Sequence, residues 1–271
     1  MDSFQDKLVV ISGAASGIGR ATAKLLARRG ALLSLSDINA AGLAAVSAEL
    51  NNIAPAENII TAVVDVRSQD AVDAWIRDAV AHFGGRKIAA AANLAGVTGA
   101  PVPGRDVSDA EFGLVWDVNV KGIVNCLRAE LPHLQEGSAG RGGGAIVNAS
   151  SLSGQVGLPG FLPYVASKHA VIGITRTVAK EEAYSDFPLA PSTCFLVLRY
   201  TLAMIDTPLL EEVAKGLGTS LSSDMFGAGP APALRRLGDA EEVAEVVAFL
   251  LSPLSGFTSG AVINIDGGMS F

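Results

Sequence analysis

Apolar residues fall along this chain in two alternating rhythms. Short continuous runs, Leu8-Val9-Val10-Ile11, Leu32–Ser36, Ile59–Val64, Ile88–Leu94, Ala145–Ala149, Thr193–Leu198 and Ala261–Ile265, read as strands covered on both faces. Between them the period lengthens. Ala21, Ala23, Leu25, Leu26 and Ala27 recur at helical spacing until Gly30, and similar patterns predict helices over Ala40–Leu50, Ala71–Phe83 and Leu162–Tyr184. Ser108-Asp109-Ala110-Glu111 is a capping box that opens a long helix to about Gln135, and Asp239 to Glu242 opens a last helix to Leu251. The glycine-rich stretch Gly137–Gly144 reads as a surface loop. No internal repeat and no long linker interrupts the series, which predicts one domain over residues 1–271. Strict strand–helix alternation predicts an α/β fold, a doubly wound, Rossmann-like parallel sheet with helices on both faces. Such sheets bind ligands beyond the carboxyl ends of their strands, so those ends carry the functional reading.

The chain has 271 residues, of which 49% are hydrophobic, enough for a substantial core. A net charge of −7 and a pI near 5.0 leave no electrostatic case for nucleic acid or an anionic membrane. No basic apolar leader precedes the first strand, and no apolar run approaches the roughly 18 residues of a membrane span. The expectation is a cytoplasmic protein. Cys126 and Cys194 stand far apart in apolar contexts and away from histidine, which predicts free thiols rather than a disulfide or a metal site.

The first strand runs straight into Ser12-Gly13-Ala14-Ala15-Ser16-Gly17-Ile18-Gly19 and then into a helix. Glycines there allow a sharp turn, a close approach of backbone to ligand and tight helix packing, and the helix amides that follow suit a pyrophosphate. Asp37 closes the second strand, where a carboxylate can accept both ribose hydroxyls of an adenosine and repel a 2′-phosphate. A helix cap is the plainer role for it. No lysine or arginine lies at positions 14–16 or 38–39, so NAD is favoured over NADP. Asp65-Val66 and Asn93-Leu94-Ala95-Gly96 close the third and fourth strands and read as cofactor contacts or as turn chemistry. Tyr164 and Lys168 are four apart on a predicted helix and share a face. An ammonium there brings a phenol of pKa about 10 toward the working range of a base. Ser151 ends a strand thirteen residues earlier.

Taken together, these motifs resemble the short-chain dehydrogenase/reductase family nearly end to end, in a style similar to members from fungal secondary metabolism. Ser12-Gly13, Gly17 and Gly19 are similar to its glycine motif, Asn93 to Gly96 to its N-A-G motif, and Ile205-Asp206-Thr207-Pro208 to a further segment. The resemblance implies a catalytic set of Asn119, Ser151, Tyr164 and Lys168. Ser151 would bond the substrate oxygen, Tyr164 would exchange its proton, Lys168 would lower the tyrosine pKa and hold the nicotinamide ribose, and Asn119 would anchor a water. The implied cofactor contacts are Gly13, Ser16, Gly17, Ile18, Gly19, Asp37, Asp65, Val66, Asn93, Ala95, Gly96, Tyr164, Lys168, Ile205 and Thr207.

The segment before Ile205 departs from that pattern. Leu198 stands where the family carries asparagine, and Leu202-Ala203 where it carries Pro-Gly, after an unusual run from Pro188. Residues 205–235, with Leu209, Leu210, Val213, Leu217, Leu221, Met225 and Phe226, read as a lid over an apolar substrate or as a plain amphipathic helix. With Val97, Leu158 and Phe161 they suggest a hydrophobic, even polycyclic, small-molecule substrate. The expected activity is NAD-dependent interconversion of a secondary alcohol and a ketone. A non-catalytic NAD(H)-binding regulator, or a lyase or isomerase on the same scaffold, are the competing readings. The resemblance also implies a homo-oligomer, a tetramer or dimer, and Ala166, Ala170, Ile174 and Val178 form a stripe that suits such an interface or simply meets the sheet.

Overall fold

The structure is a computed structural model that describes residues 4–137, 143–182, 205–216, 218 and 232–270, together with the backbone of 194–200. Among the described residues seven strands form one parallel sheet: β1 (Leu8–Ser12), β2 (Leu32–Asp37), β3 (Ile59–Val63), β4 (Ile88–Asn93), β5 (Ala145–Ala149), β6 (Cys194–Tyr200) and β7 (Ala261–Ile265). Their order across the sheet is β3-β2-β1-β4-β5-β6-β7, so the winding direction reverses between β1 and β4. That reversal opens a crevice above the carboxyl ends of these two strands.

Alternation along each strand sends its side chains to two separate cores. Val9, Ile11, Leu33, Leu35, Ala90, Ala92 and Val147 pack under α1 (Gly17–Arg28), α2 (Ala40–Leu50) and α8 (Ala240–Leu250). Leu8, Val10, Leu32, Ala91 and Ile146 pack on the other face under α3 (Gln69–His82), α5 (Gly122–Glu130) and α6 (Leu162–Glu181). The two edge strands depart from full burial. β3 alternates, with Val63 63% exposed, and β7 is only part-buried along its length, with Asn264 exposed.

Two helices start earlier or end sooner than their patterns suggest, for local reasons. α3 begins at Gln69 because the Ser68 hydroxyl accepts from Ala71 N. The long helix opened by Ser108 is three pieces: α4 (Asp109–Trp116), a π turn over Asp117–Lys121, and α5, ending at Glu130 where Pro132 enters the next turn. α6 ends at Glu181, and Ala183 and Tyr184 lie outside the described residues. β6 is regular through Leu198, pairing with β5 and β7, whereas Pro188–Thr193 and Leu202-Ala203 lie outside the described residues. Among the described residues no helix is long and apolar enough to cross a membrane.

Candidate active site

The turn from β1 into α1 is shaped by contacts that only glycine tolerates. Gly13 has φ +70°, and a Cβ on it would lie 2.7 Å from Ala95 N. A Cβ on Gly19 would lie 2.0 Å from Gly13 O, so α1 packs directly on the loop beneath it. Ser16 caps α1 with extended backbone and makes no side-chain capping bond, and no acidic residue occupies the first turn. The amides that open α1 lack intrahelical partners and face a cleft of about 400 Å³. Gly13, Ser16, Gly17, Ile18 and Gly19 all line it, as do Asp37, Asp65, Val66, Ala95, Gly96, Ile205 and Thr207.

Asp37 is fixed before any ligand arrives. Its Oδ2 accepts from Ala15 N at 3.0 Å and its Oδ1 from Asn39 N at 2.9 Å. Each oxygen keeps a further lone pair for a hydroxyl. The cap of α2 is Asn39 instead, which accepts from Gly42 N. Asp65 is paired with Arg67, whose Nε donates to both carboxylate oxygens at 2.9 Å and whose Nη2 donates to Oδ2 at 2.6 Å. That guanidinium holds the Asp65 carboxyl below its usual range. Arg67 and Ile38 also line the cleft, and sequence reasoning passed over both. The signal for Arg67 was its position two residues beyond Asp65, at a strand's carboxyl end.

Opposite the glycine loop stands the wall Leu94, Ala95, Gly96 and Val97. Asn93, one residue earlier, is buried under it and does not border the cleft. Its amide donates to Glu130 Oε2 at 3.1 Å and to Asn148 Oδ1 at 3.0 Å. Asn119, fully buried in the π turn, clamps the far end of the wall. Its Oδ1 accepts from Val97 N at 2.9 Å, and its Nδ2 donates to Val97 O at 2.8 Å and to Ser167 Oγ at 3.0 Å. Ser167 in turn donates to Tyr164 O at 2.7 Å. One asparagine thus joins the wall to the turn of α6 that carries Tyr164 and Lys168.

Tyr164 and Lys168 project from successive turns of α6, with Lys168 Nζ 5.5 Å from the centre of the Tyr164 ring. Lys168 Nζ donates to Ala149 O at 2.9 Å, and burial pushes its pKa down to about 8. A Cβ on Gly96 would lie 3.2 Å from Asn119 Oδ1 and 3.5 Å from Lys168 Nζ. The cleft wall at Gly96 thus stands next to the lysine, with the tighter approach to Asn119. Ser151 follows β5 by two residues, buried, its Oγ accepting from Ser153 N. Beside it Ser150 donates to Lys168 O at 2.9 Å, tying the end of β5 to α6.

The Tyr164 ring lies in an apolar cluster with Val115 and Phe161, flanked by Val97, Val165, Leu209 and Val213. Leu209 and Val213 belong to α7 (Pro208–Gly216), an amphipathic helix that buries Leu210 and Ala214 and brings Pro208 and Leu209 to the cleft. Leu158 is exposed. Leu217, Leu221, Met225 and Phe226 lie outside the described residues.

Comparison with known proteins accords with this geometry. Residues 7–192 match the family described as short chain dehydrogenase, and residues 201–270 match the one described as enoyl-(acyl carrier protein) reductase. Short-chain dehydrogenase/reductase aba4 of Botryotinia fuckeliana (strain B05.10) is 39% identical over 268 residues, 98% of this chain and 97% of its own. Levodione reductase of Leifsonia aquatica is 34% identical over 271 residues, covering 98% and 95%. A crystal structure of levodione reductase matches with a TM-score of 0.84 at 33% identity over 98% of both chains. Cis-4-hydroxycyclohexanecarboxylate dehydrogenase of Sinomonas cyclohexanicum is 33% identical over 270 residues, 98% of each chain. A chain that matches over nearly its full length in sequence and fold belongs to the short-chain dehydrogenase/reductase family.

Proposed function

We propose that this protein is an NAD-dependent oxidoreductase that interconverts a secondary alcohol and a ketone on a hydrophobic, ring-bearing small molecule. The observation that carries this reading lies at Gly96 in the wall of the long cleft, where a Cβ would lie 3.2 Å from Asn119 Oδ1 and 3.5 Å from Lys168 Nζ. A dinucleotide laid along that cleft would have its pyrophosphate on the amides of Gly17, Ile18 and Gly19, with Gly13 and Ser16 beside it. Its adenosine would reach Asp37, Asp65 and Val66. Its nicotinamide end would reach Ala95, Gly96, Ile205 and Thr207, next to Tyr164 and Lys168. Asn93 would serve it from beneath the wall. Asp37 favours NAD, because its carboxylate is anchored toward the cleft and Arg67, the nearby cation, is already committed to Asp65.

When bound, the nicotinamide supplies or takes up the hydride. The chain's own residues handle the proton and the charge. Ser151 would donate a hydrogen bond to the substrate oxygen as charge develops on it. Tyr164 would exchange a proton with that oxygen, and the Lys168 ammonium beside it would favour the phenolate. Asn119 would keep the wall and α6 in register for the transfer. The apolar cluster around Tyr164 supports a lipophilic substrate. The names of two relatives, levodione reductase and cis-4-hydroxycyclohexanecarboxylate dehydrogenase, support one whose reacting carbon lies in a ring.

Initial rates at the reduced-nicotinamide absorbance band, against a panel of lipophilic cyclic alcohols, test the proposal. Turnover with NAD and a cyclic secondary alcohol is expected. Tight NAD binding without turnover on any alcohol or ketone would overturn it in favour of a non-catalytic binder. A homo-oligomer is proposed as well, supported by the half-exposed stripe of Ala166, Ala170, Ile174 and Val178 and by the exposed, stacked Phe112 and Trp116 on α4. A monomeric mass in solution scattering would refute that part.

A further inference from the structure

Glu130 is fully buried in the last turn of α5, and nothing in the chemistry above uses it. Its Oε2 accepts from Asn93 Nδ2, and the same amide also donates to Asn148 Oδ1. Both hydrogens of the Asn93 amide are then spent. Two buried oxygens remain without a hydrogen-bond partner, Glu130 Oε1 and Asn93 Oδ1. They are the second oxygen-bearing ends of the two groups that this bond already joins. With Glu130 as a carboxylate both are acceptors, and each unsatisfied acceptor is costly in a dry interior. One proton repairs both. Placed on Oε1, it would donate to Asn93 Oδ1 while Nδ2–H donates to Oε2, closing the ring of a carboxylic acid and a primary amide.

We propose that Glu130 is carried as a neutral carboxylic acid in a cyclic pair with Asn93, and that this pair is a positioning element for the dinucleotide wall beginning at Leu94. The surroundings favour the neutral form. Ser12 on β1, Asn93 on β4 and Asn148 on β5 form one register row over which α5 lies, and Thr175 of α6 accepts from Asn148. Cys126, one turn earlier on α5, bonds Ser12, and burial and Glu130 raise its thiol. Among the described residues no lysine, arginine or histidine is paired with Glu130. Burial pushes its carboxyl up to about 7.

The link to the cleft is short. Leu94 N donates to Ser12 O, Ala95 touches Gly13, and Asn148 stands three residues before Ser151. Ionising Glu130 would place an uncompensated charge behind both strand ends and turn Asn93 Oδ1 against it. The effect on cofactor rests on the dinucleotide reading above. The proton itself does not, and is tested on the ligand-free protein.

Infrared difference spectra of the ligand-free protein, titrated from about pH 5.5 to about pH 9, should show a protonated carboxyl band lost with a midpoint near 7. Glu130→Gln, which keeps the ring as a permanent amide pair, should lack that band. In the wild type, NAD affinity followed by fluorescence quenching should weaken several-fold across the same range, and Glu130→Gln should hold its acid-side affinity throughout. No Glu130-dependent acid band at about pH 6 would overturn the proposal. A band with identical affinity profiles in both proteins would overturn the positioning role. Absence of NAD binding at every pH would overturn the function reading and the positioning role with it, while the band would still decide the protonation.

Discussion

Lys168→Met should make the ligand-free protein more stable at neutral pH while abolishing turnover. Lys168 is 3% exposed, and burial takes its pKa from 10.5 to about 8. At roughly 1.4 kcal/mol per unit, holding the ammonium inside the fold costs on the order of 3 kcal/mol wherever it is charged in both states. Methionine matches the unbranched stem without the charge. Against that gain stand the lost bond to Ala149 O, about 1 kcal/mol, and the contact with the Tyr164 ring, about 0.5–1 kcal/mol. The net expectation is roughly 1–2 kcal/mol of added stability at about pH 7. The pH dependence fixes the cause. Between about 8 and 10.5 the unfolded chain holds a proton that the folded chain has released, so wild-type stability rises with pH through that window. The variant lacks this slope, so its advantage should vanish near about pH 9 and reverse by about pH 10, once the ~1.4 kcal/mol per unit has been recovered. Urea unfolding midpoints at matched slopes, taken at neutral and alkaline pH, give both numbers. A variant less stable than wild type at neutral pH, or an advantage that does not change with pH, would refute the reasoning.

Three further outcomes follow from named contacts. Tyr164→Phe should lower turnover about a hundredfold or more with NAD affinity nearly unchanged, read by initial rates and fluorescence quenching; near-normal turnover would remove Tyr164 from the proton transfer. Asp37→Ala should weaken NAD and narrow its advantage over NADP, since it also frees Ala15 N and Asn39 N, and equal wild-type affinities for the two dinucleotides would contradict the Asp37 argument. Gly19→Ala should destabilise by about 3 kcal/mol or more, because its Cβ would fall 2.0 Å from the backbone oxygen of Gly13, and an unchanged thermal midpoint would sink that account.

The fold was legible because a parallel sheet covered on both faces writes itself as continuous apolar runs, and each strand is marked by such a run. The runs overstate the cover of β3 and β7, which lie at the sheet edges and are only partly buried. The cleft lining was legible for a related reason. Gly13, Gly17, Asp37, Asp65 and Gly96 sit at strand ends or in the turn that follows β1, where chain order alone locates them. What stayed hidden needed the third dimension. Arg67 reads as an ordinary surface cation until its pairing with Asp65 is seen. Asn119 is marked by the family resemblance, but its π turn and its clamp on Val97 are not. Glu130 reads as the charged end of an amphipathic helix, and nothing in its spacing says that it faces inward.

The π turn and the buried polar row belong to one solution. Ser36, Ser12, Asn93 and Asn148 stand in register across β2, β1, β4 and β5, all on the face covered by α5 and α6. A purely apolar helix could not satisfy that row. α5 answers its middle with Cys126 bonding Ser12 and Glu130 joining Asn93, while α6 meets Asn148 through Thr175. In a regular α-helix, residues seven apart lie on nearly the same stripe, so Asn119 and Cys126 would point the same way. The wider π turn between them breaks that phase. Asn119 can then reach the cleft wall and α6, while the residues after it turn to the sheet. One local irregularity thereby lets a single run of chain serve two clients, the candidate catalytic helix on one side and the floor of the cleft on the other.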